Sequence, residues 1–358
     1  MGSKRAYYLN GIGIISPQKT FDSQVFLSDV TSYDGNVLRC ITPDFKAFIN
    51  PIQLRRLSRT LRIGLSAAVI CMRDAGVKMP DGIITATGYG FLEDTAKFLH
   101  EMLSQQEKQL TPTYFMQSTS NALAGLVALT IKCMGYNNTY ASKGFAFENA
   151  ITDAMMQLSD NPDGNLLVGA YDEAAEVQYQ ASLRLTHFKK EKINNFLLFD
   201  TDTKGSIQGE GVAFFMISGA RSSSIWCVLR DLETYHHDNT SALVDALRNF
   251  LHNNDTDSAD IDIVVNGASG DIEHDAIINN VVDSVVPGAM VTRFKHLSGE
   301  YTTSTAFALW LGASILKRQE VPVIVKANAD RSAVRLEKIL IVNQYLGKHF
   351  TFALLTRD

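Results

Sequence analysis

Near the middle of the chain, the run Thr139-Tyr140-Ala141-Ser142-Lys143-Gly144 resembles a nucleophile turn that lacks its nucleophile. A short strand over 138–142 leads into a helical stretch over 144–158. A side chain at such a turn faces the positive end of a helix, where an anion is stabilised. Ala141 stands there, and an alanine cannot hold an acyl thioester. Ser142 carries a hydroxyl, but no histidine is visibly placed as its base, and a serine before a helix also serves as an N-cap. Lys143 reads as a surface charge or a partner contact. His236-His237 reads as a loop pair, with nothing nearby to complete a metal site. The turn Gly88-Tyr89-Gly90 lacks the third glycine and the lysine of a phosphate loop.

Bulk composition narrows the function classes. With 358 residues the chain can bury a large core. Its net charge of −5, without a basic block, argues against nucleic acid as a partner. The cluster Arg55, Arg56, Arg59 and Arg62 reads as a solvated helix face. Four cysteines (Cys40, Cys71, Cys133, Cys227) share no metal-like spacing and read as reduced core thiols of a cytoplasmic protein. No secretory leader is evident at Met1–Arg5, and Gly2 lacks the Ser or Thr that myristoylation expects at the position of Ala6. The most apolar helical stretch, 304–316, is too short to span a bilayer. No membrane association and no metal are expected.

The elements that must position these residues alternate between strand and helix, which predicts an α/β layered fold. Strands are expected at 6–15, 82–88, 138–142, 165–170 and 211–218, with helices at 59–76, 92–103, 121–134 and 144–158. The helix 121–134 is Ala-rich and apolar, and is expected to be buried on most sides. After a polar stretch near 220–224 the pattern restarts. Strands at 225–234, 261–265, 289–294, 338–346 and 349–356 then accompany helices at 241–253, 275–282 and 304–317. Two packed halves, 1–220 and 221–358, follow from this, although no repeat is visible residue by residue.

Several ordered patterns are similar to the β-ketoacyl synthase branch of the thiolase-like superfamily. Asn10-Gly11-Ile12-Gly13 with Ser16-Pro17 resembles the family's opening strand and turn, and Arg56-x-Ser58-Arg59 with Asp74-Ala75-Gly76 its first long helix. Gly88-Tyr89-Gly90, then Thr111-Pro112 with Asn121, Ala124 and Gly125, and Gly205 with Gly209-Glu210-Gly211, continue the match in order. Each motif alone is weak; their order and spacing carry the resemblance. It implies a thiolase-like fold, with two pseudo-duplicated α/β halves packed as a five-layer αβαβα sandwich.

In that family a thiolate takes the acyl chain, and two histidines stabilise the enolate formed as carbon dioxide leaves. The resemblance puts Ala141 at the cysteine position. Val265-Asn266-Gly267-Ala268-Ser269-Gly270 puts Ala268 at the first histidine, and Lys295-x-x-x-Gly299-Glu300 retains the lysine but puts Glu300 at the second. His274 and His296 lie near these positions, with structural or solvent roles expected. Three coordinated losses imply a chain length factor, the non-catalytic partner of an active ketosynthase, similar to those of aryl polyene and flexirubin-type pathways. The implied partners are the ketosynthase, as a heterodimer, and acyl carrier protein through it; no cofactor is implied. Residues expected at the tunnel or interface are Tyr89 and Phe91, Leu92 and Thr95 on the next helix, and Tyr114, Phe115 and Met116 in a crossing segment. Thr139, Tyr140 and Ser142 would belong to an interfacial strand. The same side chains would equally serve as plain interface packing. The enzyme alternative is a divergent β-ketoacyl-ACP synthase acting through Ser142 or a pocket around Lys295 and Glu300.

Overall fold

The computed structural model describes residues 5–22, 24–222, 224–237, 239–328 and 335–358. The readings made on residues 1–4 lie outside it. Ten strands form the framework: β1 (Tyr7–Ile15), β2 (Gly82–Thr87), β3 (Tyr136–Ala141), β4 (Asn165–Asp172), β5 (Gly211–Ser218), β6 (Cys227–His236), β7 (Ile263–Asn266), β8 (Met290–Arg293), β9 (Lys338–Tyr345) and β10 (His349–Thr356). Their order is β3-β2-β4-β5-β1-β6-β10-β9-β7-β8. The first five and the last five have one topology. β2 lies parallel to β3 and β4, and β7 parallel to β8 and β9. β5 runs antiparallel to β4 and β1, and β10 antiparallel to β9 and β6. A short antiparallel contact, Tyr7↔Leu229 to Leu9↔Cys227, joins the arrays.

Helices fill the layers around them. Ala146–Asp160 and Thr305–Arg318 share the central apolar cluster with residues of both arrays. From Thr305 to Leu316 the latter helix is buried on every side, as a helix between two sheets must be. Arg59–Ala75 and Ala122–Ile131 cover the outer face of the first array, and Thr240–Asn253 and Ile272–Val285 that of the second. The result is the α-β-α-β-α layering that the resemblance implied. Glycine in β1 permits the closest of these contacts: a Cβ on Gly13 would lie 2.1 Å from the Ala67 carbonyl oxygen of helix Arg59–Ala75.

Three details differ from the sequence reading. The helix expected at 121–134 spans only Ala122–Ile131 and buries Leu123, Ala124 and Val127. Its other face is open, with Leu129 79% exposed, because none of the described residues covers that outer layer. Short helices at Pro51–Leu54, Pro112–Ser118 and Glu176–Arg184 were not anticipated; the first two start at a proline, which suits the first helical turn. Arg59 is not on a solvated face, since its guanidinium lies 2.6 Å from the buried Glu210 carboxylate.

Candidate functional site

β3 is the sheet edge: it pairs with β2 from Gly82↔Tyr136 to Thr87↔Ala141, and among the described residues its other side carries no partner strand. Its last residue, Ala141, is exposed, as are Ser142 and Lys143. Lys143 adopts φ 53° to turn the chain through a single 3-10 turn, Lys143–Phe145, into helix Ala146–Asp160. Such a conformation is uncommon outside glycine. The Ser142 hydroxyl accepts a hydrogen bond from Asn149 Nδ2 at 3.0 Å, and among the described residues no histidine bonds it. The turn is tightly backed by the C-terminal hairpin. A Cβ on Gly144 would lie 2.8 Å from the His349 ring and 3.0 Å from that of Tyr345.

Lys295 and Glu300 meet behind this turn. Lys295 is fully buried, and its Nζ donates to Glu300 Oε2 at 2.7 Å and to the Gln344 carbonyl oxygen at 2.6 Å. Burial pushes the Glu300 carboxyl up, and the Lys295 ammonium pulls it back. Gly299, at φ 70°, lets the backbone press onto Gly209, whose amide donates to the Glu300 carbonyl at 3.1 Å. Ala268 lies elsewhere in the packing. It belongs to the apolar cluster under the outer helices of the second array, in a loop whose Ser269 and Gly270 amides are held by Asp275 at 2.6 and 2.8 Å. Gln344 ties the two positions together, since its side-chain Nε2 donates to Ser269 Oγ at 3.1 Å while its backbone carbonyl accepts a hydrogen bond from Lys295 Nζ.

Two buried acids beside the site were missed by the sequence reading. Asp172, at the end of β4, accepts from Thr87 Oγ1 (3.0 Å), the Gly88 amide (2.9 Å), the Thr303 amide and hydroxyl (2.9 Å each) and the Thr302 hydroxyl. Burial raises its carboxyl, and these donors oppose the rise. Glu148, fully buried on helix Ala146–Asp160, accepts from Thr305 and Thr351 and leaves Oε2 without a partner; burial raises it too. Signals existed, in the Tyr171-Asp172-Glu173 run ending an apolar strand and in Glu148 within an apolar helix. Only packing shows that they are buried. The space enclosed by Asp172, Gln208, Glu300, Tyr301 and Tyr345 amounts to about 10 Å³, room for roughly one water.

The expected tunnel residues divide. Phe91 packs in its own chain's core, stacked on Tyr171 with centroids 4.9 Å apart. Thr95 donates to the Phe91 carbonyl at 2.8 Å, and Leu92 and Tyr114 are half-buried. Tyr89 is exposed, and the Tyr345 hydroxyl is driven up first by burial and then by its nearness to Tyr89. Phe115 and Met116 are open to solvent, with Phe115 resting on Phe98 at 5.3 Å. On β3, Thr139 shares a 2.8 Å hydrogen bond with Thr85, and Tyr140 is half-buried. Leu129, Met134, Tyr136 and Met156 extend the open apolar surface, and Met134 is 94% exposed. These exposed apolar side chains flank the open sheet edge.

His236 ends β6 and meets His349 edge to face at 4.9 Å rather than standing in a loop. His296 is buried, bonded to the Ile324 carbonyl at 3.0 Å, and desolvation lowers it to about 4. His274 sits 3.6 Å from Asp271. Among the described residues no three His, Cys, Asp or Glu side chains converge as metal ligands, and no helix is long and apolar enough to cross a membrane. All four cysteines are buried and free. Burial raises Cys40, Cys71 and Cys227, which disfavours thiolate chemistry.

Comparison with known proteins adds the following. Residues 41–189 match the family model "Beta-ketoacyl synthase, N-terminal domain". Among curated proteins no sequence matches the chain. The ishigamide ketosynthase/chain length factor superposes with TM-score 0.80 at 14% identity, covering 99% of this chain and all of that one. A beta-ketoacyl synthase from Burkholderia phymatum STM815 gives 0.79 at 14% identity with the same coverage. A type II PKS acyl-carrier protein in complex with its ketosynthase bound to the hexaketide gives 0.70 at 17%, again over 99% and 100%. At these identities the likeness speaks for the fold. Residues 41–189 are thus similar to a beta-ketoacyl synthase N-terminal domain, and the chain as a whole shares the fold of these ketosynthase structures.

Proposed function

We propose that this chain is a chain length factor-like subunit, a ketosynthase scaffold without condensing activity of its own. It pairs with an active β-ketoacyl-ACP synthase and shapes the tunnel in which that partner's acyl or polyene chain grows. The observation that carries this reading is Ala141 at the open end of the sheet-edge strand. The position that would bear the nucleophile presents a methyl group. Four further facts support it. Glu300, paired with Lys295, fills the position at which the family's second histidine would bind the malonyl thioester. The enclosed space beside that pair holds about one water. The apolar surface around β3, with Tyr89, Phe115 and Met116 at hand, offers side chains that can reach a partner's tunnel. A structural neighbour is itself a ketosynthase/chain length factor.

The finer reading is an aryl polyene or flexirubin-type pathway in the cytoplasm, with acyl carrier protein engaged through the ketosynthase. Purification with a cognate ketosynthase tests the proposal: a 1:1 complex is expected, and the isolated chain should take up no acyl group from a radiolabelled acyl carrier protein. Covalent acylation of the lone chain would overturn the non-catalytic reading. Tyr89→Ala or Phe115→Ala should lengthen the product; unchanged length would remove the tunnel role and leave the pairing intact.

A further inference from the structure

Sulfur is distributed unevenly over this chain. All four cysteines are buried and free, and Met72, Met216 and Met290 are buried as well. Of the four exposed methionines among the described residues, Met116 lies on helix Pro112–Ser118, and the other three gather at the start of β3. Met134 stands in the turn that leads into that strand at Tyr136. Met79 is 55% exposed on the segment entering β2. That segment lies against the same turn: the Cys133 thiol donates to the Pro80 carbonyl at 3.4 Å, and a Cβ on Gly135 would lie 2.0 Å from the Asp81 carbonyl oxygen. Met156 is 66% exposed on helix Ala146–Asp160, one turn beyond Asp153, whose carboxylate accepts from the Tyr136 hydroxyl at 2.9 Å. Residues so spaced share a helix face.

We propose that the Met79, Met134 and Met156 thioethers form an oxidation site through which peroxide controls pairing with the ketosynthase, an inference that rests on the subunit role given above. Each sulfur attacks a peroxide oxygen. An S–O bond forms, the O–O bond breaks and sulfur gives up two electrons; the released hydroxide takes the proton of the S–OH group and leaves as water. The buried thiols are shielded, so the thioethers are the sulfurs that peroxide reaches first. Oxidation turns a flexible apolar group into a polar one. On the free subunit the sulfoxide stays hydrated. Carried into an apolar interface it loses that water, and burying a polar group without a hydrogen-bond partner is unfavourable. Oxidation and pairing therefore exclude each other, and methionine sulfoxide reductases reverse the block.

Mild hydrogen peroxide treatment of the free chain, mapped by peptide mass spectrometry, should add one oxygen at Met79, Met134 and Met156 well before Met72, Met216 or Met290, while near-ultraviolet dichroism stays native. Affinity for the cognate ketosynthase should then fall roughly a hundredfold or more, as expected for burying several unpaired polar groups. Methionine sulfoxide reductase with a thiol reductant should restore it, and the preformed complex should resist oxidation at the three positions. Met79→Leu combined with Met134→Leu and Met156→Leu removes the sulfurs at similar volume; against its own untreated sample, this variant should lose less than about tenfold on peroxide treatment. An untreated chain that never pairs overturns the subunit reading and this inference with it. Pairing that survives full oxidation of the three sulfurs, equal oxidation of them in the complex, or a triple variant that loses as much as the parent overturns this inference alone.

Discussion

Lys295 Nζ lies 2.7 Å from Glu300 Oε2, and both side chains are sealed from solvent. The ammonium also donates to the Gln344 carbonyl, while Ser304 Oγ reaches the other Glu300 oxygen at 3.3 Å. This is a buried lysine–glutamate pair closed on itself. Its geometry explains how a glutamate can stand where the resemblance expects a histidine: the retained lysine supplies its counter-charge.

Breaking that pair from one side should be costly. Glu300→Gln leaves a buried ammonium without its carboxylate and should destabilise the chain by about 3–5 kcal/mol. Lys295→Met combined with Glu300→Met should cost clearly less. Urea denaturation of the three proteins checks this; a single variant as stable as the parent would mean that the pair is not ionised.

Ala141 and the four buried thiols make a second prediction. The folded protein should react slowly with a thiol-alkylating reagent, whereas Ala141→Cys should add one fast site, because residue 141 is exposed. The same variant should show no condensing activity above background, since Ala268 and Glu300 would remain. Intact-mass spectrometry and a decarboxylation assay read the two parts, and rapid condensation by the variant would contradict the second.

The open face around β3 gives a third. Leu129→Arg and Met134→Asp change side chains that touch mainly solvent in this chain, so monomer stability should move by no more than about 0.5 kcal/mol. Co-purification with the ketosynthase should be lost. Retention of the complex on size-exclusion chromatography would place the interface elsewhere.

Glu173 sets a pH dependence. It accepts from Thr60 Oγ1 and the Glu93 amide, each at 2.6 Å. Burial raises its carboxyl from the ordinary 4.5 to about 7, and Glu93 and Asp94 add repulsion. The unfolded chain therefore ionises at lower pH than the folded one. This group's contribution is fully favourable below pH 4.5 and declines as pH rises towards about 7. Glu173→Gln should flatten the stability profile in that window, measured as Tm against pH; an unchanged slope would exclude Glu173 as its source.

Much of the layering was legible in the chain, because strand and helix periodicities are local. The run 211–218 is apolar throughout and became β5, buried at every residue, and Gly76 ends its helix at φ 67° as a glycine there can. The duplication was legible only as a pattern that restarts near 220–224, because identical strand order and pairing in the two arrays need no identical residues. Helix Ala122–Ile131 misled for a related reason: an apolar helix reads as buried whether its cover comes from its own chain or from another.

By itself the sequence determined the alternation of elements, the order of the ketosynthase-like motifs and the residue types at 141, 268, 295 and 300. These are properties of neighbours along the chain. Only the tertiary structure decided that Lys295 answers Glu300, that Gln344 bridges to the Ser269 loop, that Ala268 turns into an outer apolar layer and that Asp172 gathers five donors. Those relationships join residues tens to hundreds of positions apart, or depend on which way a side chain points. Burial, which sets their charge and bonding, exists only once the layers have closed.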